Sequence, residues 1–211
     1  MPLLLIKADI GARFRRLLER RTGGDPAAMA AEDRAFTLRA HAALDAVDHK
    51  ATPAQREAGN YRKHHVRFQG LDVTIENPRG SIRRGVDRGG HAWATSMQHD
   101  YGYIRGTLGV DGDHFDVLLG PNEAAPTAFV ITTMAPPEFT ATDEQKALLG
   151  FNSEDEARAA FHGMYDDARF LGSVQAMPME EFKAKVRTTR AHPRLLKARV
   201  LFFIPRRETA Q

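Results

Sequence analysis

The 211-residue chain contains no cysteine, a single tryptophan and no apolar run approaching the roughly 20 residues that span a bilayer. Without cysteine, disulfides and thiolate chemistry are excluded, so a metal site has to use aspartate, glutamate or histidine. The apolar opening, residues 1–6, is too short for the core of a signal peptide. These absences predict a cytoplasmic protein with no membrane association.

A large excess of one charge is also missing. The chain has 30 Lys/Arg and 27 Asp/Glu, a formal net charge of +3. Such a balance does not favour nucleic-acid binding, although basic residues gather toward both ends, as in 187–207. These basic ends either steer phosphate substrates or form solvated faces. A nucleic-acid or nucleotide-binding module remains an alternative, and its binding should weaken steeply with added salt.

Three regions differ in pattern. Residues 1–58 read as a helical N-terminal extension, with apolar spacing at 14–18 and a helix start at Asp25-Pro26. Residues 59–190 form the central domain, in which short alternating runs such as 71–75 predict strands. Ser153 with Glu156 predicts a helix that ends near Asp166. Residues 191–211 are a basic C-terminal segment with a final strand. The predicted class is α+β, a compact β core flanked by helices.

The central domain carries three carboxylates within six residues, Asp111, Asp113 and Asp116. Carboxylates this close raise one another's proton affinity unless a cation neutralises them. A hard divalent ion with oxygen ligands does so, and Mg²⁺ is the usual one in phosphate chemistry. An EF-hand is rejected because Phe115, Asp116 and Asn122 stand at its fifth, sixth and twelfth positions. The plain alternative is a solvated acidic turn.

The residues before this cluster make the pattern specific. Tyr101-Gly102-Tyr103-Ile104 and Thr107 precede Asp111-Gly112-Asp113 and Asp116 without a gap. This stretch resembles the soluble inorganic pyrophosphatases of the first family, whose signature joins YGYI to DGDxxDV. Weaker matches keep the same order at 74–78, 82–83, 144–146 and 165. Residues 60–186 more closely resemble a pyrophosphatase-like domain of large phage and mobile-element proteins.

The resemblance implies a small closed β-barrel flanked by helices. It also implies hydrolysis of pyrophosphate, or a related small phosphoanhydride, by a metal-activated water. Homo-oligomerisation or a place in a larger phage assembly, with a virion-associated location, would follow by analogy. Mg²⁺ is the implied metal, and Mn²⁺ or Zn²⁺ is possible if His114 joins the carboxylates. The resemblance implies three sets of site residues. The metal ligands are Asp111, Asp116, Glu76 and Glu144, and the general base is Asp113. The phosphate-binding groups are Arg83, Lys146, Tyr101 and Tyr165, of which Tyr101 and Lys146 are also implied to be catalytic.

Four positions depart from the family pattern. Gly85 and Thr132 stand where carboxylates are expected, Asp166 stands where a lysine is usual, and His114 replaces a proline. These changes imply fewer bound metals. They also support an alternative reading, a catalytically weak or inactive structural or assembly module. Trp93 is interpreted as a core residue rather than a substrate platform.

Overall fold

The computed structural model describes residues 25–87 and 90–195. The helical pattern predicted at 14–18 and the final strand predicted at 199–204 lie outside these residues. No helix in the described part of the chain is long and apolar enough to cross a membrane.

Three of the four described α-helices begin at a residue whose side chain caps them. The Asp25 side chain accepts a hydrogen bond from the Ala27 amide, as expected of an N-cap. The Ser153 hydroxyl does the same for the Glu156 amide, but this helix ends at His162 instead of the predicted Asp166. The helices are α1 (Pro26–Ala46), α2 (Pro53–Glu57), α3 (Glu154–His162) and α4 (Met179–Val186), with a 3₁₀ turn at Ala168–Phe170.

The described residues contain nine strands beside the helices, so the fold is mixed. Seven of these strands form one sheet in the order β1-β2-β5-β6-β8-β7-β9, and β3 pairs with β4 in a separate hairpin. Among the described strands only β6 and β8 pair in parallel. The strands are β1 (His64–Phe68), β2 (Leu71–Asn77), β3 (Ile82–Val86), β4 (Ala92–Ser96), β5 (Asp100–Ile104), β6 (Phe115–Leu119), β7 (Thr127–Met134), β8 (Thr142–Leu149) and β9 (Leu171–Pro178). The described sheet is open, with β1 and β9 at its edges, and barrel closure stays a prediction.

Both faces of the sheet are buried. On one face Val73, Val117 and Ala147 pack with Phe182 of α4 and Ala43 of α1. On the opposite face the alternate residues of the same strands pack against α3. That second face, called here the α3 face, includes Tyr101, Leu118, Phe129, Ile131, Leu148, Ala157 and Phe161.

Helix α1 is fastened to the strand that begins the candidate site. Arg39 Nε lies 3.0 Å from Asp100 Oδ2, and Arg39 also donates to the Gly120 carbonyl. Asp100 has no exposed surface, and its other carboxylate oxygen accepts from the Arg79 amide. A buried carboxylate needs such partners because water cannot solvate it. The pair therefore fixes the start of β5, one residue before Tyr101.

Candidate active site

A buried polar network lies on the α3 face where β5, β6 and β8 run side by side. Asp116 and Lys146 each lie two residues before a buried leucine of their strand, so they share the leucines' face. Lys146 Nζ lies 2.5 Å from Asp116 Oδ2 and 2.7 Å from Glu144 Oε1. It also donates to the Tyr101 hydroxyl at 3.0 Å, and this hydroxyl donates to Asp116. One ammonium group thus contacts two carboxylates and a phenol.

Glycine is required between the two tyrosines of β5. A Cβ at Gly102 would lie 1.8 Å from the Thr74 carbonyl oxygen of β2, a contact that side chains cannot make. Without a side chain, β5 approaches the backbone of β2 closely. Tyr101 and Tyr103 lie on either side of Gly102, and because alternate residues of a strand share a face, their side chains project from the same face of the sheet.

Burial and charge act against each other at the centre of the network. Burial disfavours the charged form of Lys146 and lowers its pKa. The neighbouring groups, chiefly Tyr101 and Asp116, have a larger opposite effect and hold the pKa of Lys146 well above its usual value. Burial raises the pKa of Tyr101, Lys146 partly offsets this, and Asp116 adds to it. At neutral pH the lysine is therefore an ammonium and the tyrosine a hydrogen-bond donor.

Glu144 holds its negative charge less easily. Burial raises its pKa, Lys146 lowers it, and the charges of Asp116 and Asp111 raise it again, with a net rise. The carboxylates of Asp111, Asp116 and Glu144 thus lie near enough for their charges to repel one another. One ammonium cannot neutralise them all, so the site favours a further cation or a proton.

Arg83 brings a second cation to the network from the β3–β4 hairpin. Its Cζ lies 4.7 Å from the centroid of the Tyr101 ring. Burial disfavours its charge, but Tyr101, Tyr165 and the carboxylates outweigh this and raise the pKa of Arg83. Burial also raises the pKa of Tyr165, whereas Lys146 and Arg83 lower it. Arg83 and Tyr165, two of the four sequence-predicted phosphate-binding residues, therefore border the same charged cluster.

The acidic turn between β5 and β6 is more open. Asp111 Oδ1 accepts from the Asp113 amide at 3.2 Å, and Gly112 adopts a φ of 91°, which favours glycine. Both aspartates are exposed. Buried Thr107 ties the loop together, because its hydroxyl donates to the Ile104 carbonyl and accepts from the Phe115 amide. The turn therefore leaves both carboxylates accessible.

Glu76 has a separate set of partners. Its Oε1 lies 2.6 Å from Lys63 Nζ, and the Tyr61 hydroxyl donates to it at 3.4 Å. Lys63 also lies 5.1 Å from the centroid of the Tyr103 ring, which stacks on His114 at 4.7 Å. The structure thus places this predicted ligand against its own lysine rather than against Lys146.

Lys63 and Trp93 were not identified from the sequence as site residues. Lys63 stands within the stretch 60–186 that carries the resemblance but belongs to no local pattern, since its partner Glu76 lies 13 positions away. Trp93 is half-buried and its ring lies 5.1 Å from Arg83 Cζ, so its interpretation as plain core was incomplete. The one sequence feature that could have drawn attention to Trp93 is that it is the only tryptophan in the chain.

The structure shows the surroundings of two positions that depart from the family pattern, Thr132 and Asp166. The Thr132 hydroxyl accepts from Gln145, whose neighbour Lys146 projects to the opposite face. A threonine at this position therefore takes no carboxylate away from the Lys146 network. Asp166 is exposed.

The donor chemistry fits a hard divalent cation. Asp111, Asp116 and Glu144 supply carboxylate oxygens, and burial, with the charges of Asp116 and Asp111, raises the pKa of Glu144 despite the nearby Lys146 ammonium. Across residues 25–87 and 90–195, however, no three acidic or histidine side chains are grouped closely enough to hold a metal ion. The site thus has suitable ligands, two of which are paired with lysine.

Comparison with known proteins identifies a family for the chain. No curated protein matches the chain. A family model described as Inorganic Pyrophosphatase matches residues 53–187, which include all nine predicted site residues. Because this match covers more than half of the 211 residues, the chain belongs to the inorganic pyrophosphatase family.

Proposed function

We propose that the chain hydrolyses inorganic pyrophosphate or a related small phosphoanhydride. The observation that carries the proposal is the buried cluster in which Lys146 contacts both Asp116 and Glu144 beside Arg83. Phosphoanhydride substrates are polyanions, so a nucleophile reaches phosphorus only where fixed cations screen the oxygens. Buried Lys146 and half-buried Arg83, both beside the carboxylates, supply that environment.

Each residue has a role that its surroundings support. Arg83 would bind two phosphate oxygens through its planar fork, and Lys146 would bind one as a point charge. The Tyr165 hydroxyl would donate to a further oxygen, and the Tyr101 hydroxyl would do so if it gave up its hydrogen bond to Asp116. Asp113, exposed on its turn, would accept a proton from the attacking water as the new oxygen–phosphorus bond forms. The bridging bond then breaks, releasing two phosphate groups.

A divalent metal would be held by Asp111, Asp116 and Glu144, joined by Glu76 once it is released from Lys63. Mg²⁺ suits these oxygen ligands, and Mn²⁺ or Zn²⁺ would be the alternatives if His114 took part. When bound, the ion would screen the substrate's charge and lower the pKa of the attacking water.

A second candidate is a weakly active or inactive structural module. The specific observation in its favour is at Gly85, where a Cβ would lie 2.3 Å from the Trp93 ring. The space for a carboxylate at this position is thus filled by an aromatic side chain. A place in a phage assembly, a virion-associated location, and self-association would belong to this candidate, with the resemblance as their support.

The test is phosphate release from pyrophosphate with and without Mg²⁺, in wild type, Asp113→Asn and Asp116→Asn. Loss of the base or of the central carboxylate should lower kcat by about 100-fold or more. Asp72→Asn is the matched control, because Asp72 is an exposed aspartate on β2 whose side chain faces Arg67. It should stay within about twofold of wild type, the range expected of a surface change.

Two results would contradict the hydrolase proposal. The first is turnover that survives Asp113→Asn and Asp116→Asn. The second is no turnover with Mg²⁺, Mn²⁺ or Zn²⁺ in a protein whose circular dichroism shows it folded, which would favour the structural module.

A further inference from the structure

The hairpin of β3 and β4 presents one face to the candidate site. Arg83, Gly85, Trp93 and Thr95 alternate with exposed residues and are half-buried on this inner face. Thr95 donates to the Met164 carbonyl at 3.5 Å, just beyond α3. The hairpin therefore lies against the α3 side of the molecule, next to Tyr165.

Trp93 fits against the hairpin because its cross-strand partner is glycine. Gly85 and Trp93 are directly paired in the register, and a Cβ at Gly85 would lie 2.3–3.0 Å from three indole atoms. That is closer than a side chain tolerates, so any larger residue at Gly85 would displace the ring. The indole thus occupies the volume above this glycine.

Arg83 is held by two aromatic rings. Its Cζ lies 5.1 Å from the Trp93 ring centroid and 4.7 Å from that of Tyr101. Arginine stacks on aromatic faces while its N–H donors stay available in the plane of the guanidinium. A long side chain confined in this way loses less conformational freedom when it binds an anion.

We propose that Trp93 is a positioning residue, which, held against Gly85, fixes the Arg83 guanidinium over Tyr101 in the orientation that receives a phosphate group. The inference rests on the proposed function, because it assigns Arg83 to substrate. A positioning role for Trp93 can be distinguished by experiment from a purely structural role in the core. Removing the indole should weaken anion binding through Arg83 without unfolding the domain.

The kinetic test compares Trp93→Leu, Trp93→Phe and Gly85→Ala in pyrophosphate hydrolysis. Trp93→Leu removes the ring and should raise KM about tenfold with little change in kcat, because positioning acts on binding. Trp93→Phe keeps an aromatic face and should recover most of the loss, whereas Gly85→Ala should displace the indole and resemble Trp93→Leu. Ile82→Ala is the control, because Ile82 lies on the exposed face of the same hairpin.

A binding test separates this inference from turnover. Calorimetry would measure the affinity of methylenediphosphonate, which cannot be hydrolysed, for wild type, Trp93→Leu, Arg83→Met and the double variant. Each single change should weaken binding about tenfold, and the double variant should be no weaker than Arg83→Met alone. Trp93, the sole tryptophan, should also change its fluorescence when the analogue binds to wild type but not to Arg83→Met.

Additive losses in the double variant would overturn the inference, as would wild-type affinity in Trp93→Leu or a lack of analogue binding by wild type. Coupled losses in a protein without turnover would refute the hydrolase proposal while supporting the role of Trp93.

Discussion

Two lysine–carboxylate groups stand beside the two tyrosines of β5, and they differ in their balance of charge. The Lys146 group consists of Tyr101, Asp116, Glu144 and Lys146, and its lysine is 3% exposed. The Lys63 group consists of Tyr61, Lys63, Glu76 and Tyr103, and its lysine is 12% exposed. The first pairs one lysine with two carboxylates, whereas the second pairs one lysine with one.

This difference separates residues that the family pattern treats alike. Glu76 and Glu144 are both predicted metal ligands, but Glu76 has its own lysine. Glu144 shares Lys146 with Asp116 and is further repelled by Asp111. Asp111, Asp116 and Glu144 together outnumber the two cations Lys146 and Arg83, so the Lys146 group retains negative charge that a metal ion would neutralise. In the Lys63 group one lysine matches one carboxylate.

The largest expected effect comes from removing each lysine in turn. Lys146→Met leaves two facing carboxylates without their cation and should lower the free energy of unfolding by about 3 kcal/mol. Lys63→Met leaves one carboxylate without its cation instead of two, and should cost about 1 kcal/mol. Urea denaturation in EDTA measures both variants without interference from divalent ions.

Each lysine variant is the other's control, since the substitution is the same. Equal losses would mean that the sharing of Lys146 has no energetic consequence, and the comparison would fail. Mg²⁺ should restore part of the stability of Lys146→Met and little of that of Lys63→Met.

Local sequence predicted the elements better than it predicted these pairings. Caps at Asp25 and Ser153 and the alternation at 71–75 gave α1, α3 and β2 with small errors in length. The acidic turn followed from Gly112 and its aspartates, which are adjacent in the chain. Each of these features depends on residues within a few positions of one another, so the sequence contains the needed information.

The pairings depend on strand order, which no local pattern encodes. Asp116 meets Lys146 because β6 pairs in parallel with β8, 30 positions later. Glu76 meets Lys63 because Lys63 leads into β1, the neighbour of β2. The family resemblance placed Glu76 and Glu144 in one ligand set, but only the fold shows that their lysines differ.

A smaller effect is expected in the binding of Mg²⁺ to Glu144→Gln and Glu76→Gln. Loss of Glu144 removes charge from the group that has it in excess, and should weaken Mg²⁺ binding about tenfold. Loss of Glu76 should weaken it less than about threefold, because Lys63 already neutralises this carboxylate. Calorimetric titration of the folded proteins with MgCl₂ measures both affinities.

Glu138→Gln is the control for this titration, because Glu138 is an exposed glutamate on the loop between β7 and β8. It should bind Mg²⁺ as wild type does. A greater loss in Glu76→Gln than in Glu144→Gln would reverse the comparison and make the Lys63 group the main metal site.

The smallest expected effect is in the pH dependence of stability without divalent ions. The pKa of Glu144 is raised in the folded chain above its ordinary value of 4.5, so the folded state binds this proton more tightly than the unfolded state. Its stabilising contribution is present in full below pH 4.5 and is lost as the pH rises through the folded pKa. Glu144→Gln cannot lose a proton, so its stability should decline less than that of wild type over this range.

Urea denaturation of wild type and Glu144→Gln from pH 4 to pH 7 in EDTA would measure this difference, with Glu138→Gln following wild type. A wild type that gains stability over Glu144→Gln as the pH rises would show that attraction to Lys146 outweighs burial and the repulsion from Asp116. Glu144 would then be as well neutralised as Glu76, and the Lys146 group would have no excess charge to attract a metal ion.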